Sequence, residues 1–290
     1  MADDPGATKR HRTPTAGRGR ARSQRSLSVV LPAYNEEENI ESAIDEARQA
    51  VQRLTSNWEI VVVDDGSRDA TAALVEAMHE RDSRVRLVRF PRNRGYGAAI
   101  RAGFSASRGD LIFYTDSDRQ FDISELRFFL PLMDETDVAI GFRVYRYDTV
   151  VRCMTSWLYN RLVSLMFRVR VRDVDCSFKL FRREVLESMD LESTDFFIDT
   201  ELVAKARKWN FRLLEKGVRH YPRKAGESTV HVSHIPRTLR TVFRMWVGIY
   251  LPVLVGSRKP RTPVCAADRE TTPFGLDASA AVETSRLTAG

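Results

Sequence analysis

The residues best suited to chemistry are Asp116 and Asp118, two carboxylates one residue apart, with Gln120 two positions further on. They follow a short apolar run, 111–114, which is typical of a buried strand. Carboxylate and amide oxygens suit a hard cation such as Mg²⁺ or Mn²⁺, which commonly keeps part of its coordination shell for substrate phosphates. Paired aspartates also occur in solvated turns. A metal site here therefore requires further polar groups close by.

Polar residues follow two other apolar runs in the same way. The run 28–31 is followed by Pro32-Ala33-Tyr34-Asn35-Glu36, and the run 59–63 by Asp64-Asp65-Gly66-Ser67. Asp64 and Asp65 alone could form a turn or cap the next helix. In an open α/β sheet, however, ligands bind beyond the carboxyl ends of the strands. The three polar segments are therefore expected to share one crevice.

The elements that must position these residues alternate along the chain. Short runs rich in Val and Ile alternate with segments of helical periodicity, which predicts an α/β domain with a mostly parallel central sheet and helices on both faces. One helix is predicted over 36–54, with an apolar stripe toward the sheet and an acidic first turn. Strands are predicted at 28–31, 59–63, 85–88, 111–114 and 138–140.

Composition divides the chain into four parts. Residues 1–27 form a basic tail and residues 258–290 a polar tail, and both lack the apolar content to order themselves. A catalytic domain is predicted at 28–235 and an amphipathic segment at 236–257. Three scattered cysteines fit neither a disulfide framework nor a zinc cluster, which favours a reducing cytosol.

The segment 236–257 predicts contact with a membrane. Its longest uncharged stretch, 245–257, is too short to span a bilayer. Six Lys or Arg residues flank it, and Trp246 and Tyr250 suit the headgroup level, so we expect it to lie on an anionic surface. The alternative is a helix packed against the catalytic domain. The first interpretation predicts a cytoplasmic protein peripherally associated with the inner face of the membrane.

Four runs resemble a known family in their order and spacing: VVLPAYNEEENI, IVVVDDGSRDAT, NRGYGAAIRAGF and DLIFYTDSDRQFD. They are similar to the family-two glycosyltransferases, which have the GT-A fold, a Rossmann-like nucleotide-diphospho-sugar transferase fold. Within that family they most resemble dolichyl-phosphate mannose synthases and bacterial polyprenyl-phosphate glycosyltransferases. The resemblance covers about residues 28–230.

The resemblance implies a donor site at the strand ends. Asp116, Asp118 and Gln120 would bind the metal and the diphosphate, with Asp118 catalytic and Ser117 beside the donor. An Arg-x-x-Gly-x-Ser loop would close over the diphosphate through Arg223 and Ser228. The remaining implied donor contacts are Pro32, Tyr34, Glu36 and Asp64 or Asp65 at the base and ribose, Asn93 and Gly95 near the nucleotide, and Asp199 and Glu201 near the sugar.

The resemblance also implies an acceptor phosphate site made by Arg143, Arg152 and Ser156. The fork of an arginine matches phosphate geometry, although Arg152 could instead extend from an amphipathic helix toward solvent. A phosphate is largely ionised at neutral pH and needs no base to act as a nucleophile. One departure from the family pattern is Cys176-Ser177-Phe178, where the family usually has Ser-Gly-Phe.

These observations predict an inverting transfer of a hexose to dolichyl or polyprenyl phosphate, with mannose from GDP-mannose slightly favoured over UDP-glucose or another UDP-sugar. The partners are then the two substrates and an anionic membrane surface, and an integral membrane partner is left open. With a saccharide or protein hydroxyl as acceptor, Asp173, Asp175 or Asp199 would have to act as base. A non-catalytic protein that binds nucleic acid or an anionic surface would leave the acidic strand ends unexplained, so no nucleic-acid partner is expected.

Overall fold

The computed structural model describes residues 25–144, 150–222 and 235–254, without the side chains of 150–153, 155, 156, 235–240 and 252–254. Seven strands in these ranges form one sheet in the order β3-β2-β1-β4-β6-β5-β7. All neighbours pair in parallel except β6, which runs antiparallel to both β4 and β5. The strands are β1 (Leu27–Ala33), β2 (Trp58–Asp64), β3 (Val85–Arg89), β4 (Leu111–Tyr114), β5 (Val138–Arg143), β6 (Lys179–Arg182) and β7 (Leu213–Val218).

Helices cover both faces of the sheet, because alternate side chains of each strand point to opposite sides. Val30 and Val63 pack on one side with α3, α4, α6 and α7. Val29 and Val62 pack on the other with α1, α2 and two 3₁₀ helices. The predicted α/β architecture is confirmed. The helices are α1 (Ile40–Val51), α2 (Thr71–Arg81), α3 (Tyr96–Ala106), α4 (Val150–Phe167), α5 (Arg183–Glu187), α6 (Ile198–Lys208) and α7 (Ile235–Leu254), with 3₁₀ helices at Ile123–Phe128 and Leu130–Asp134.

The helix predicted at 36–54 is shorter in the structure. It begins at Ile40, because Asn35 has a left-handed backbone (φ 55°) and the next residues form a turn. The carbonyl of Glu36 accepts hydrogen bonds from the N–H groups of Asn39 (2.9 Å) and Ile40 (2.8 Å). The acidic residues that were expected in the first turn therefore mostly precede the helix, and only Glu41 lies in that turn.

The domain includes the last residues of the predicted basic tail. Arg25 forms an ion pair with Asp134 at 3.0 Å, and the Ser26 hydroxyl donates to Asp110 at 2.8 Å. The other residues of the tails predicted at 1–27 and 258–290 lie outside the described residues.

The predicted amphipathic segment corresponds to α7. Val242 and Ile249 are buried in the core, whereas Phe243 and Leu251 are exposed. One face of the helix thus packs on the domain, as the alternative interpretation expected, and the opposite face remains open. In the described parts of the chain, none of the helices has both the length and the apolar character needed to cross a membrane.

Candidate active site

Hydrogen bonds join the carboxyl ends of β1, β2 and β4 into one edge. The Ser117 hydroxyl, just after β4, donates to the carbonyl of Pro32 in β1 at 2.8 Å. The Asn35 N–H, just after β1, donates to the Ser67 hydroxyl after β2 at 2.9 Å. Arg68 returns the contact, since its N–H donates to the Asn35 side chain at 2.9 Å. The three polar segments predicted to share a crevice are therefore in direct contact.

Asp116 is held by two hydroxyl groups from distant parts of the chain. Tyr96, the first residue of α3, donates to Oδ1 at 2.8 Å, and Ser177 donates to Oδ2 at 2.5 Å. Burial and the neighbouring carboxylate of Asp118 raise the pKa of Asp116 to about 7. The two carboxylates repel each other, and a nearby cation would offset this repulsion.

Asp118 is also buried, and its Oδ1 accepts the Gln120 N–H at 3.2 Å. The Gln120 side-chain amide donates to the carbonyl of Tyr221 at 3.1 Å, which ties the segment after β4 to the segment after β7. Among the described residues, no group of three or more His, Cys, Asp or Glu side chains is placed to hold a metal ion. The two-carboxylate donor set fits Mg²⁺ or Mn²⁺ that takes its remaining ligands from a diphosphate and water.

Asp64 and Asp65 both hold backbone in place. The Asp65 carboxylate accepts the N–H groups of Arg94 (2.6 Å) and Gly95 (2.9 Å), and so fixes the loop between β3 and α3. Burial raises the pKa of Asp65 despite these two donors. Asp64 accepts the Ser67 N–H at 2.9 Å and lies 3.2 Å from the Arg89 guanidinium. These contacts keep both carboxylates at the end of β2.

The glycines of the Asn-Arg-Gly-Tyr-Gly segment lie against protein backbone. A β-carbon on Gly95, which has φ of +99°, would stand 2.3 Å from the carbonyl oxygen of Thr194, and one on Gly97 would stand 2.6 Å from that of Ser193. The Gly97 N–H donates to the Thr194 carbonyl at 2.9 Å. Gly95, which was predicted to lie near the nucleotide, therefore lies against the segment 193–195.

Glu201, predicted near the donor sugar, fixes that same segment. Its carboxylate accepts the N–H groups of Glu192 (2.9 Å) and Ser193 (2.8 Å) and pairs with Lys205 at 2.5 Å. Burial raises its pKa, but Lys205 and the two N–H groups outweigh burial and hold the pKa below its usual range. Glu201 thus fixes the segment that contacts α3, and its carboxylate is occupied by two N–H groups and Lys205.

Asp199 is buried and acts electrostatically on Asp116. It forms a buried ion pair with Lys179 of β6 and accepts a hydrogen bond from the Tyr114 hydroxyl at the end of β4. Lys179 also donates to the carbonyl of Cys176 at 2.6 Å. A contact between Asp199 and the donor sugar would have to compete with this ion pair.

Arg143, predicted at the acceptor phosphate, pairs with Asp173 through two bonds. Its Nε and one terminal nitrogen donate to the two Asp173 oxygens at 2.6 and 2.7 Å, and both side chains are largely buried. The pair raises the pKa of Arg143 in spite of burial. These donors are consequently not available to a phosphate while the pair is intact.

The other predicted site residues are only partly described. Tyr34 and Asn93 are exposed, Tyr34 directly after β1 and Asn93 after β3, and the Glu36 carboxylate accepts from Asn39 at 2.8 Å. Arg152 and Ser156 lie in α4, but their side chains are outside the described residues, as are Arg223 and Ser228 entirely. Sequence reasoning missed Lys179 and noted Ser177 only as a departure, because the pairing of β6 with β4 was not predicted. It missed Tyr96 because that contact depends on how the start of α3 packs.

The chain matches the family model described as "Glycosyl transferase family 2" over residues 28–190. It is 35% identical over 203 residues to glycosyltransferase AglD of Haloferax volcanii, covering 65% of this chain and 32% of the relative. It is 36% identical over 167 residues to undecaprenyl-phosphate 4-deoxy-4-formamido-L-arabinose transferase of Salmonella choleraesuis, covering 57% and 51%. It is 30% identical over 220 residues to dodecaprenyl-phosphate galacturonate synthase of Rhizobium johnstonii, covering 74% and 64%.

The chain therefore spans between about a third and two thirds of the length of these relatives. Among solved structures, it is similar to glucosyl-3-phosphoglycerate synthase of Mycobacterium tuberculosis in complex with Mn²⁺, UDP and phosphoglyceric acid. That similarity has a TM-score of 0.61 at 20% identity and covers 81% of this chain and 80% of the other, so it concerns the fold. On the match to its family model, which includes β1 to β6 and the acidic pair, this chain belongs to glycosyl transferase family 2.

Proposed function

We propose that this chain transfers a sugar from a nucleotide-sugar to a polyprenyl or dolichyl phosphate, with Mg²⁺ or Mn²⁺ as cofactor and inversion at the anomeric carbon. The observation that carries the proposal is the pair Asp116, which is half-buried, and Asp118, which is buried, at the edge where the ends of β1, β2 and β4 meet. Such an acidic crevice repels a bare diphosphate, and it suits a diphosphate that arrives with a divalent cation.

Asp116, Asp118 and Gln120 are the residues that would hold the metal. A bound metal would neutralise the negative charge that builds on the departing nucleoside diphosphate. The protein's own part is to position the donor, with Tyr34 and Glu36 after β1 and Asp64 or Asp65 after β2 nearest to base and ribose. The hydrogen bonds between these segments make the donor site rigid before the substrate binds.

A phosphate acceptor agrees with the names of two relatives, which are an undecaprenyl-phosphate and a dodecaprenyl-phosphate enzyme. A phosphomonoester is largely ionised at neutral pH, so it can attack the anomeric carbon without a base. Arg152 and Ser156, one turn apart in α4, would receive the phosphate. Arg143 would contribute through its remaining N–H donors, because its pair with Asp173 occupies two donor positions and compensates its charge.

The alternative acceptor, a saccharide or protein hydroxyl, needs a base. Asp173 is paired with Arg143 and Asp199 with Lys179, so each carboxylate would have to leave a cationic partner in order to contact an acceptor hydroxyl. Asp175 differs, since burial together with Asp199 and Asp173 raises its pKa to about 7. Asp175 is therefore the residue that a hydroxyl-acceptor mechanism would use.

Fewer observations bear on the identity of the sugar than on the acceptor. The preference for mannose from GDP-mannose came from the resemblance, and the named relatives transfer or incorporate formamido-arabinose and galacturonate. UDP occupies the similar solved structure. GDP-mannose, UDP-glucose and other UDP-sugars are thus equal candidates for this chain.

Two helices support peripheral membrane association at the inner face. The exposed apolar side chains of α4 and α7 include Trp157, Leu165 and Phe243, which are 67%, 77% and 58% exposed. The two helices are joined where the Tyr250 hydroxyl of α7 donates to the Phe167 carbonyl of α4 at 2.9 Å. A long polyprenyl chain would remain in the bilayer while its phosphate reaches α4.

The experiment is an acceptor panel with the full chain, Mn²⁺ or Mg²⁺, and radiolabelled GDP-mannose, UDP-glucose and other UDP-sugars. Each donor is tested with a short polyprenyl phosphate, with the matching polyprenol that lacks the phosphate, and with free saccharides. We expect label in the lipid phase with the phosphate alone, for one donor. Label on the polyprenol or on free saccharides, with none on the phosphate, would contradict the proposal and implicate Asp175.

A further inference from the structure

Both oxygens of the Asp116 carboxylate accept hydrogen bonds from hydroxyl groups, one from Tyr96 and one from Ser177. We propose that Tyr96 and Ser177 are positioning residues that keep Asp116 turned toward the divalent cation. The proposal rests on the metal site assigned above to Asp116 and Asp118.

The need for positioning follows from charge. Asp116 and Asp118 are carboxylates one residue apart directly after β4, and two such like charges repel each other before a cation binds. A carboxylate oxygen has two lone-pair sites, so a hydroxyl that occupies one leaves the other for a metal. With one donor on each oxygen, rotation of the Asp116 carboxylate breaks a hydrogen bond. The two hydroxyls therefore favour the orientation that a metal needs.

The position of Ser177 follows from strand register. In the antiparallel pair of β4 and β6, Tyr114 stands opposite Lys179. Two residues beyond Tyr114 is Asp116, and two residues before Lys179 is Ser177, so the register brings these two side chains across from each other. The family usually has Gly at the position of Ser177. A glycine supplies no hydroxyl, and the second donor is thus a property of this chain's departure from the pattern.

The position of Tyr96 follows from packing at the start of α3. Gly95 and Gly97 lie on either side of it, and both contact the segment 193–195 so closely that neither could carry a β-carbon without displacement. The Gly97 N–H donates to the Thr194 carbonyl, and Glu201 fixes Ser193 in turn. The backbone on both sides of Tyr96 is therefore held against the segment 193–195, and this fixes the position from which the Tyr96 hydroxyl reaches Asp116.

The test measures Mn²⁺ affinity without turnover. Binding of Mn²⁺ to the full chain is followed by electron paramagnetic resonance in the presence of UDP and, in parallel, GDP. We expect Tyr96→Phe and Ser177→Gly each to weaken Mn²⁺ binding about tenfold, the lower end of the effect seen when a metal ligand loses its supporting hydrogen bond. Ser177→Thr, which retains the hydroxyl, should recover most of the affinity.

Two control variants lose a comparable buried hydroxyl elsewhere. Tyr159→Phe removes a 2.7 Å hydrogen bond with Thr200, and Ser107→Ala removes a 2.7 Å hydrogen bond to the Gly103 carbonyl. Their melting temperatures should fall as far as those of the test variants, with unchanged Mn²⁺ affinity. Equal Mn²⁺ binding by wild type, Tyr96→Phe and Ser177→Gly would overturn the positioning role. Absence of Mn²⁺ binding in the wild type would instead overturn the proposed metal site itself.

Discussion

The acidic side chains around the crevice differ in what compensates their charge. Asp173 is balanced by Arg143 and Asp199 by Lys179, both in buried pairs. Among the described residues, Asp116 has two hydroxyl partners and is repelled by Asp118, and its pKa is raised to about 7. A cation bound beside Asp116 would offset this repulsion.

Arg152 provides a prediction about the acceptor. If it binds the phosphate, Arg152→Ala should lower acceptor kcat/KM about ten- to a hundredfold with donor KM unchanged, since a charged hydrogen bond contributes about 1.5–3 kcal/mol. Arg152→Lys should recover only part, because an ammonium lacks the two-pronged geometry. Arg161→Ala, an exposed arginine on the same helix, is the control. Unchanged acceptor kinetics in both Arg152 variants would remove it from the site.

Asp175 provides a prediction about pH. Burial, Asp199 and Asp173 raise its pKa to about 7, and its buried Oδ1 has no hydrogen-bond partner among the described residues. Because the folded pKa exceeds the unfolded value, the folded protein loses stability as pH rises through 7. Asp175→Asn should raise the free energy of unfolding by up to about 4 kcal/mol at pH 8 and by well under about 1 kcal/mol at pH 4, since the pKa lies about three units above its ordinary value of 3.8 and each unit corresponds to about 1.4 kcal/mol.

Denaturant unfolding of the two proteins at both pH values provides the measurement. The wild-type difference alone is not informative, because other carboxylates also titrate over this range. A gain that is equal at pH 4 and pH 8 would show that Asp175 is already ionised and compensated in the fold.

At the scale of the elements, the strands that sequence patterns predicted are those with continuous apolar character. The strands β1 to β5 coincide with predicted runs, extended by up to three residues at the ends. The two missed strands have mixed patterns: β6 reads Lys-Leu-Phe-Arg, and β7 alternates half-buried and exposed residues. A lysine such as Lys179 is expected at the surface, but its ion pair with Asp199 allows its complete burial.

The part of the site that the sequence predicted is the part that follows directly from the predicted strands. Residues directly after β1, β2 and β4 were identified because strand ends in a parallel sheet share an edge. The contacts of Asp116 with Tyr96 and Ser177, and of Glu201 with Ser193, join residues from different elements and depend on strand register and loop packing. Single-sequence patterns contain no information on those distances. The ion pair of Arg143 with Asp173 was not predicted for the same reason.

Helix α3 provides a prediction about packing. In an ordinary helix, Gly→Ala is stabilising by up to about 1 kcal/mol. Gly97→Ala should instead destabilise by about 1–3 kcal/mol, because its β-carbon would overlap the carbonyl oxygens of Ser193 and Asp195. Gly248→Ala in α7, where nothing lies within 4 Å, is the matched control and should be neutral or stabilising. Thermal unfolding of both variants provides the measurement. A Gly97→Ala protein as stable as the wild type would mean that the segment 193–195 is not fixed against α3.

At the scale of the whole molecule, the open faces of α4 and α7 lie on the side of the sheet that also carries α3 and α6. Arg168 and Arg207 act electrostatically on Tyr250, and Lys208 lies 5.3 Å from its ring centroid, so basic groups border the apolar face. Since Val242 and Ile249 belong to the core, removal of α7 would damage the domain. Point substitutions on the exposed face are the appropriate test.

The double variant Trp157→Ser, Phe243→Ser should bind anionic lipid vesicles at least about tenfold more weakly than the wild type, because each side chain contributes on the order of 1 kcal/mol when it inserts. Phe128→Ser is the control, since Phe128 is 42% exposed but lies in a 3₁₀ helix on the other face of the sheet. Vesicle flotation at low salt measures the binding. Equal flotation of all three proteins would contradict a membrane role for α4 and α7.

The most direct test of the central claim is calorimetric titration of UDP and GDP into the full chain with Mn²⁺, with Mg²⁺ and with excess EDTA. We expect one of the two nucleotides to bind, and only when metal is present. Asp118→Asn should weaken that binding about a hundredfold or more, since it removes a metal ligand, whereas Asp45→Asn, in an exposed ion pair with Arg48, should not change it. Nucleotide binding of equal strength in EDTA, or in Asp118→Asn, would contradict a metal-dependent site at Asp116 and Asp118.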